Sequence, residues 1–159
     1  MSFSSTMTEL ADACRKRFGV TSKLSLDDMI KLITPPAFPS GTEILGETKL
    51  PIDGEQHDVP LTLKAVPPAM NKPIKLLITV SANEWLYLSG FKLIFNKSDG
   101  TQLVLAIPGI DTDFEDRKPW VKTVNVTIPA NTSIATNKAI LRISNSNSVD
   151  TIEKIIATY

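Results

Sequence analysis

Apolar residues recur at helical spacing as far as Ile33 and at a spacing of two from Thr42 onward, with the proline-rich stretch PPAFPS between the two regimes. No single period crosses that break. A period near 3.6 cannot face one core while a period of two faces it from the same element, so the chain reads as two pieces joined by a stiff connector. The expected organisation is a helical module over 1–34, a Pro-rich linker over 35–41 and a β domain over 42–159. The fold class is mainly β: a small N-terminal α-helical hairpin, then an antiparallel β-sandwich, Ig-like as first choice and a jelly roll as second.

In the first piece, Thr6 and Glu9 have the spacing of a capping box, and Leu10, Cys14 and Phe18 fall four apart on one stripe. Arg15, Lys16 and Arg17 crowd the last turn, where cations suit the helix dipole, and Gly19 is placed to stop the helix. Ser25 is the expected N-cap of a second helix, with Asp27 and Asp28 in its first turn. Leu26, Met29, Ile30 and Ile33 give its apolar face, and Thr34 before Pro35 ends it.

A pair this short sits below the ~40 residues at which a domain stands without disulfides, metals or association. With one cysteine it has no intrachain disulfide. Its apolar faces must pack on the β domain, on a second copy or on a foreign surface. A proline-rich spacer works against the first. Leu10, Arg15, Arg17, Phe18, Met29, Ile30 and Ile33 are the expected partner-binding residues. A DNA-reading helix-turn-helix does not fit, because two aspartates open the second helix and would repel phosphate.

Strands are expected near 43–50, 60–66, 74–80, 85–88, 91–96, 101–107, 121–128, 138–144 and 152–158, with Ser98-Asp99-Gly100 as the clearest hairpin turn. Many short strands without an intervening helix point to a sandwich. In 121–128, Val121, Val126 and Ile128 are read as apolar positions between polar ones.

No catalytic signature emerges, and no enzyme, metal or cofactor is expected. His57 lies in the polar stretch DGEQHD with no second histidine in the chain, and reads as a solvated loop residue. The acidic segment IDTDFEDRKPW lacks the glycine and glutamate that complete a calcium loop. Cys14 reads as a small buried hydrophobe. Trp85, Tyr87 and Trp120 are the candidates for a carbohydrate-stacking platform. Lys plus Arg equals Asp plus Glu at 17 each, which gives no nucleic-acid footprint. No run has the length of a membrane span, and MSFSSTMTEL has no secretory pattern.

The stretch LADACRKRFGVTSKLSLDDMIKLI resembles a short helical module of tailed-phage virion proteins, matched at Leu10, Ala11, Ala13, Arg15, Gly19, Thr21, Leu24, Ser25, Leu26, Asp27 and Met29. Cys14 stands where an isoleucine is more usual. With its linker and single sandwich, the chain is similar to the head decoration proteins of siphophages. That resemblance implies a non-enzymatic protein on the outer surface of the capsid. It implies docking of the helices on the major capsid protein or another virion protein, and outward display of the β domain. The same module in tail-fibre and baseplate proteins implies the alternative, a carbohydrate-binding module with a host-surface glycan as partner.

Overall fold

The computed structural model describes residues 3–33, 38–112, 115–144 and 148–159; the side chains of Phe3, Phe18 and residues 31–33 lie outside that description. Contacts divide the chain into two units, 1–38 and 39–159.

The first unit holds helices α1 (Phe3–Phe18) and α2 (Leu26–Ile33). Helix α1 begins a turn earlier than the Thr6 capping box required. Thr6 is therefore an interior helical residue, and the Thr8 hydroxyl donates to the Ser4 carbonyl at 3.0 Å. The end of α1 follows expectation. Gly19 has φ +66°, and the Val20 amide reaches back to the Arg15 carbonyl at 3.2 Å, closing a Schellman turn. Helix α2 is capped reciprocally: the Asp28 amide donates to Ser25 Oγ at 3.2 Å, and the Ser25 amide donates to the Asp28 carboxylate at 3.0 Å. Between the helices, Ala11, Cys14 and Met29 are buried, with Met7 and Leu24 packed beside them. The inward stripe of α1 is thus Met7–Ala11–Cys14. It is offset from the expected Leu10–Cys14–Phe18 line, and Leu10 falls to its exposed margin.

The second unit is mainly β and antiparallel throughout. Its strands are β1 (Thr42–Leu45), β2 (Thr48–Lys49), β3 (His57–Thr62), β4 (Ile74–Ala82), β5 (Tyr87–Leu88), β6 (Lys92–Lys97), β7 (Gln102–Ala106), β8 (Ile110–Asp111), β9 (Trp120–Ile128), β10 (Ile134–Ile143) and β11 (Thr151–Thr158). One sheet has the order β1-β11-β4-β9, with β2 continuing the β1 edge along β11; the other is β3-β10-β6-β7. Strands β5 and β8 make a separate two-stranded ribbon. Among the described residues, the only neighbouring pair of the two main sheets that is also consecutive in the chain is β6–β7. Every other connection between their strands, apart from β1 to β2, crosses to the opposite sheet.

Alternation builds the core. In β4, Ile74, Leu76, Ile78, Val80 and Ala82 are all buried, and their in-between neighbours are not. Leu93, Phe95 and Leu141 supply the facing layer, each fully enclosed. Strand β9 buries only part of its length. Val126 and Ile128 point inward, but Val121, at the opposite parity, is 62% exposed. The single stretch expected over 43–50 is broken into β1 and β2, with a register irregularity between Glu43 and Leu45. His57 opens β3 instead of lying in a loop, and its Nε2 sits 2.8 Å from the Asp53 carboxylate oxygens.

Strand directions put the β2–β3, β4–β6, β7–β9 and β10–β11 connections at one end of the sandwich. At the other end the chain enters β1 beside the finish of β11. There the Gly41 amide donates to the Ala157 carbonyl at 2.8 Å and the Tyr159 amide donates to Ser40 Oγ at 3.0 Å. Of the linker expected at 35–41, residues 35–37 lie outside the described set, whereas Ser40 and Gly41 are hydrogen-bonded to the last strand.

Candidate functional site

Two surfaces carry the side chains singled out from sequence, one in each unit. On the helical unit, Leu10 is 38% exposed, Leu26 49% and Ile30 47%. Three large apolar side chains of this small unit therefore stand in solvent. The expected set is not all there. Met29 is 2% exposed and holds the two helices together. Arg15 is half-buried and ion-paired with Asp12 one turn earlier on the same helix. Arg17 is exposed. The Phe18 and Ile33 side chains lie outside the described set. Leu26 belonged to the expected apolar face of α2 but not to the expected binding set. A shallow hollow beside these residues is lined by Met7, Ala11, Leu24, Leu26 and Met29.

On the sandwich, the loop-rich end brings Trp85 and Tyr87 together. Their ring centroids are 5.6 Å apart with planes inclined at 23°. The reason is local alternation. Leu86 and Leu88 are fully buried, so residues 85 and 87 share the opposite side of the same segment. That segment is anchored from both flanks. The Leu86 amide donates to Thr112 Oγ1 at 2.9 Å, and the Thr112 amide donates to the Leu86 carbonyl at 3.0 Å. The Tyr87 amide donates to Ser148 Oγ at 2.7 Å, and the Ser148 hydroxyl donates to the Trp85 carbonyl. The Lys118 amide closes onto the Glu84 carbonyl at 2.9 Å.

Trp85 lines a cleft of about 260 Å³ together with Ile52, Asn83, Glu84, Arg117, Ser148 and Asp150. The Asn83 amide donates to the Asp150 carboxylate at 2.6 Å, and Thr151 Oγ1 donates to the other Asp150 oxygen at 2.9 Å. The Asp150 backbone is fixed as well, since its amide donates to the Ser81 carbonyl and its carbonyl accepts from the Leu50 amide. Trp120 is occupied differently from the other two aromatics. Lys118 and Lys122 place their Nζ atoms 4.6 and 5.2 Å from its ring centroid. The sequence pointed to Trp85, Tyr87 and Trp120 as one set, of which Trp85 and Tyr87 stack, but not to the polar cleft beside Trp85. Asn83, Arg117 and Asp150 sit in three separate connections, and only the topology joins them.

Of the acidic segment, Asp111 ends β8, and Asp116 pairs with Lys118. Among the described residues no group of three or more His, Cys, Asp or Glu is placed to hold a metal ion. No described helix is long and apolar enough to cross a membrane. No known protein family, curated protein or solved structure matches the chain.

Proposed function

We propose that the chain is a non-enzymatic accessory protein of a tailed-phage virion, anchored through its helical unit and presenting the sandwich as the outward part. The observation that carries this reading is the exposed trio Leu10, Leu26 and Ile30 on a helical pair whose core, among the described residues, is Ala11, Cys14 and Met29. Burying Met29 contributes about 1.5–3 kcal/mol, which is small against the entropy of ordering some thirty residues. Docking the exposed trio on another protein would add a comparable amount for each side chain. The capsid as the docking surface follows from the resemblance of the helical sequence to virion modules, with the major capsid protein as the first partner to test.

For the sandwich we infer jelly-roll connectivity in preference to the Ig-like arrangement. Counting β1 and β2 as one strand and leaving out the β5–β8 ribbon gives eight strands. They have sheet orders 1-8-3-6 and 2-7-4-5, with a single in-sheet hairpin. Such double-sheet folds serve in viral shells and in lectins alike, so the fold by itself is compatible with either role.

The test is co-sedimentation of the full chain with capsids of the encoding phage. Ile30→Asp puts an unpaired carboxylate into a dry contact, and binding should fall by about a hundredfold or more. The melting temperature of the sandwich should stay unchanged. Undiminished sedimentation of Ile30→Asp and of a matching Leu26→Asp chain would remove the helical unit as the anchor.

A further inference from the structure

We propose that the loop-end cleft between Trp85 and Asp150 is a binding site for an uncharged saccharide. The inference deepens the display reading by giving the outward domain a ligand class. It stands on the cleft's own chemistry.

A sugar ring has an apolar C–H face and a rim of hydroxyls that both donate and accept. A site for it needs an aromatic surface beside fixed planar hydrogen-bonding groups. Trp85 supplies the surface. Tyr87 stacks on it and lies outside the cleft lining, so its role is to hold the Trp85 ring in place. Asn83 and Asp150 are held to each other at 2.6 Å. That bond leaves the Asn83 carbonyl oxygen and the remaining Asp150 lone pairs to meet hydroxyls. Because Asp150 is already fixed through its backbone and through Thr151, little ordering is lost on binding. Ile52 closes the apolar side.

Charge decides against the anionic alternatives. The cleft holds two carboxylates, Glu84 and Asp150, and one guanidinium, Arg117, which lies 3.8 Å from Glu84. A phosphate polymer or a nucleic acid strand would meet net negative charge there. A neutral ring meets donors and acceptors without that cost. The volume of about 260 Å³ lies just below the usual range for drug-sized ligands, and suits the end of a glycan chain.

The experiment uses the full chain carrying Trp120→Phe, which leaves Trp85 as the one tryptophan of the two in the sequence. An array of neutral, sialylated, sulfated and phosphate-bearing oligosaccharides is screened, and hits are titrated by tryptophan fluorescence. Neutral oligosaccharides should bind and shift the Trp85 emission. Asn83→Ala, titrated in the same way, should weaken binding by about tenfold or more, and so should Trp85→Ala, which has no tryptophan left and is titrated by calorimetry. Tyr87→Phe should retain it, because the ring stacking survives. Asn83 is exposed, so its truncation leaves the fold intact even if Trp85→Ala does not. Absence of any neutral hit overturns the proposal. So does binding confined to anionic glycans, or binding indifferent to Asn83→Ala. The Ile30→Asp chain should keep full saccharide binding. Lost docking with saccharide binding intact therefore concerns the anchor, and the converse concerns the cleft.

Discussion

Asp99 shows how much one residue fixes locally. Its carboxylate accepts from the Thr101 hydroxyl at 2.7 Å and the Thr101 amide at 2.9 Å, with Lys97 Nζ at 3.2 Å. Those bonds, the hydroxyl first, hold its pKa down to about 2 from an ordinary 3.8. Gly100 at φ +83° then completes the turn, which the sequence announced as Ser98-Asp99-Gly100. A depressed folded-state pKa means stability that is present above the ordinary value and lost as pH falls through the folded one. Asp99→Asn imitates the protonated acid. It should melt below the parent chain at neutral pH, and the gap should close between about pH 4 and pH 2; thermal unfolding of both chains across that range checks it. Other single residues were less legible. Val121 is apolar like Val126 and Ile128, and the sequence alone does not say which of the three face inward. Pairing of Val80 with Lys122 and of Ser81 with Val121 sets the phase, and that register is a property of two strands. Trp85 and Tyr87 were legible because they alternate with Leu86 and Leu88 in the same segment. Asn83 and Asp150 were not, since nothing local marks two loop residues as neighbours.

At the scale of elements, strand β4 is the spine of its sheet, paired with β11 on one side and β9 on the other. Its strict alternation made it the easiest strand to read, and it came out two residues longer at its C-terminal end than expected. The short ribbon β5–β8 was only half visible. Residues 110–111 sit in an acidic stretch with no strand pattern, and tertiary contact with Tyr87 and Leu88 creates the pairing. Because β4 sits inside the sheet, damage there has no edge at which to relax. Leu76 is fully buried on that strand, and Leu76→Ala should cost about 2–5 kcal/mol. Val121→Ala on the exposed side of edge strand β9 should change stability by less than about 0.5 kcal/mol. Denaturant titration of the two variants gives the comparison, and equal losses would mean the inward face of the sheet has been misassigned.

The whole molecule is two units of very unequal self-sufficiency. Residues 39–159 enclose a continuous core, so this fragment should fold alone with a cooperative thermal transition close to that of the full chain. An insoluble or molten fragment would show that the helices complete the sandwich core. The break in periodicity foretold the two units. The docking surface proposed for the first one lies outside any intrachain pattern, since a partner's surface leaves no mark in the period of this chain. The place where the chain enters the sandwich has a mechanical consequence. Gly41 and β1 run antiparallel to β11 from the end opposite the loop cluster. A pull between the tether and a ligand held at the loops acts along the length of β1. It loads the hydrogen bonds to β11 side by side in shear, so they must fail together instead of unzipping one after another. A domain tethered in this way would resist being torn off by a ligand held at its loops.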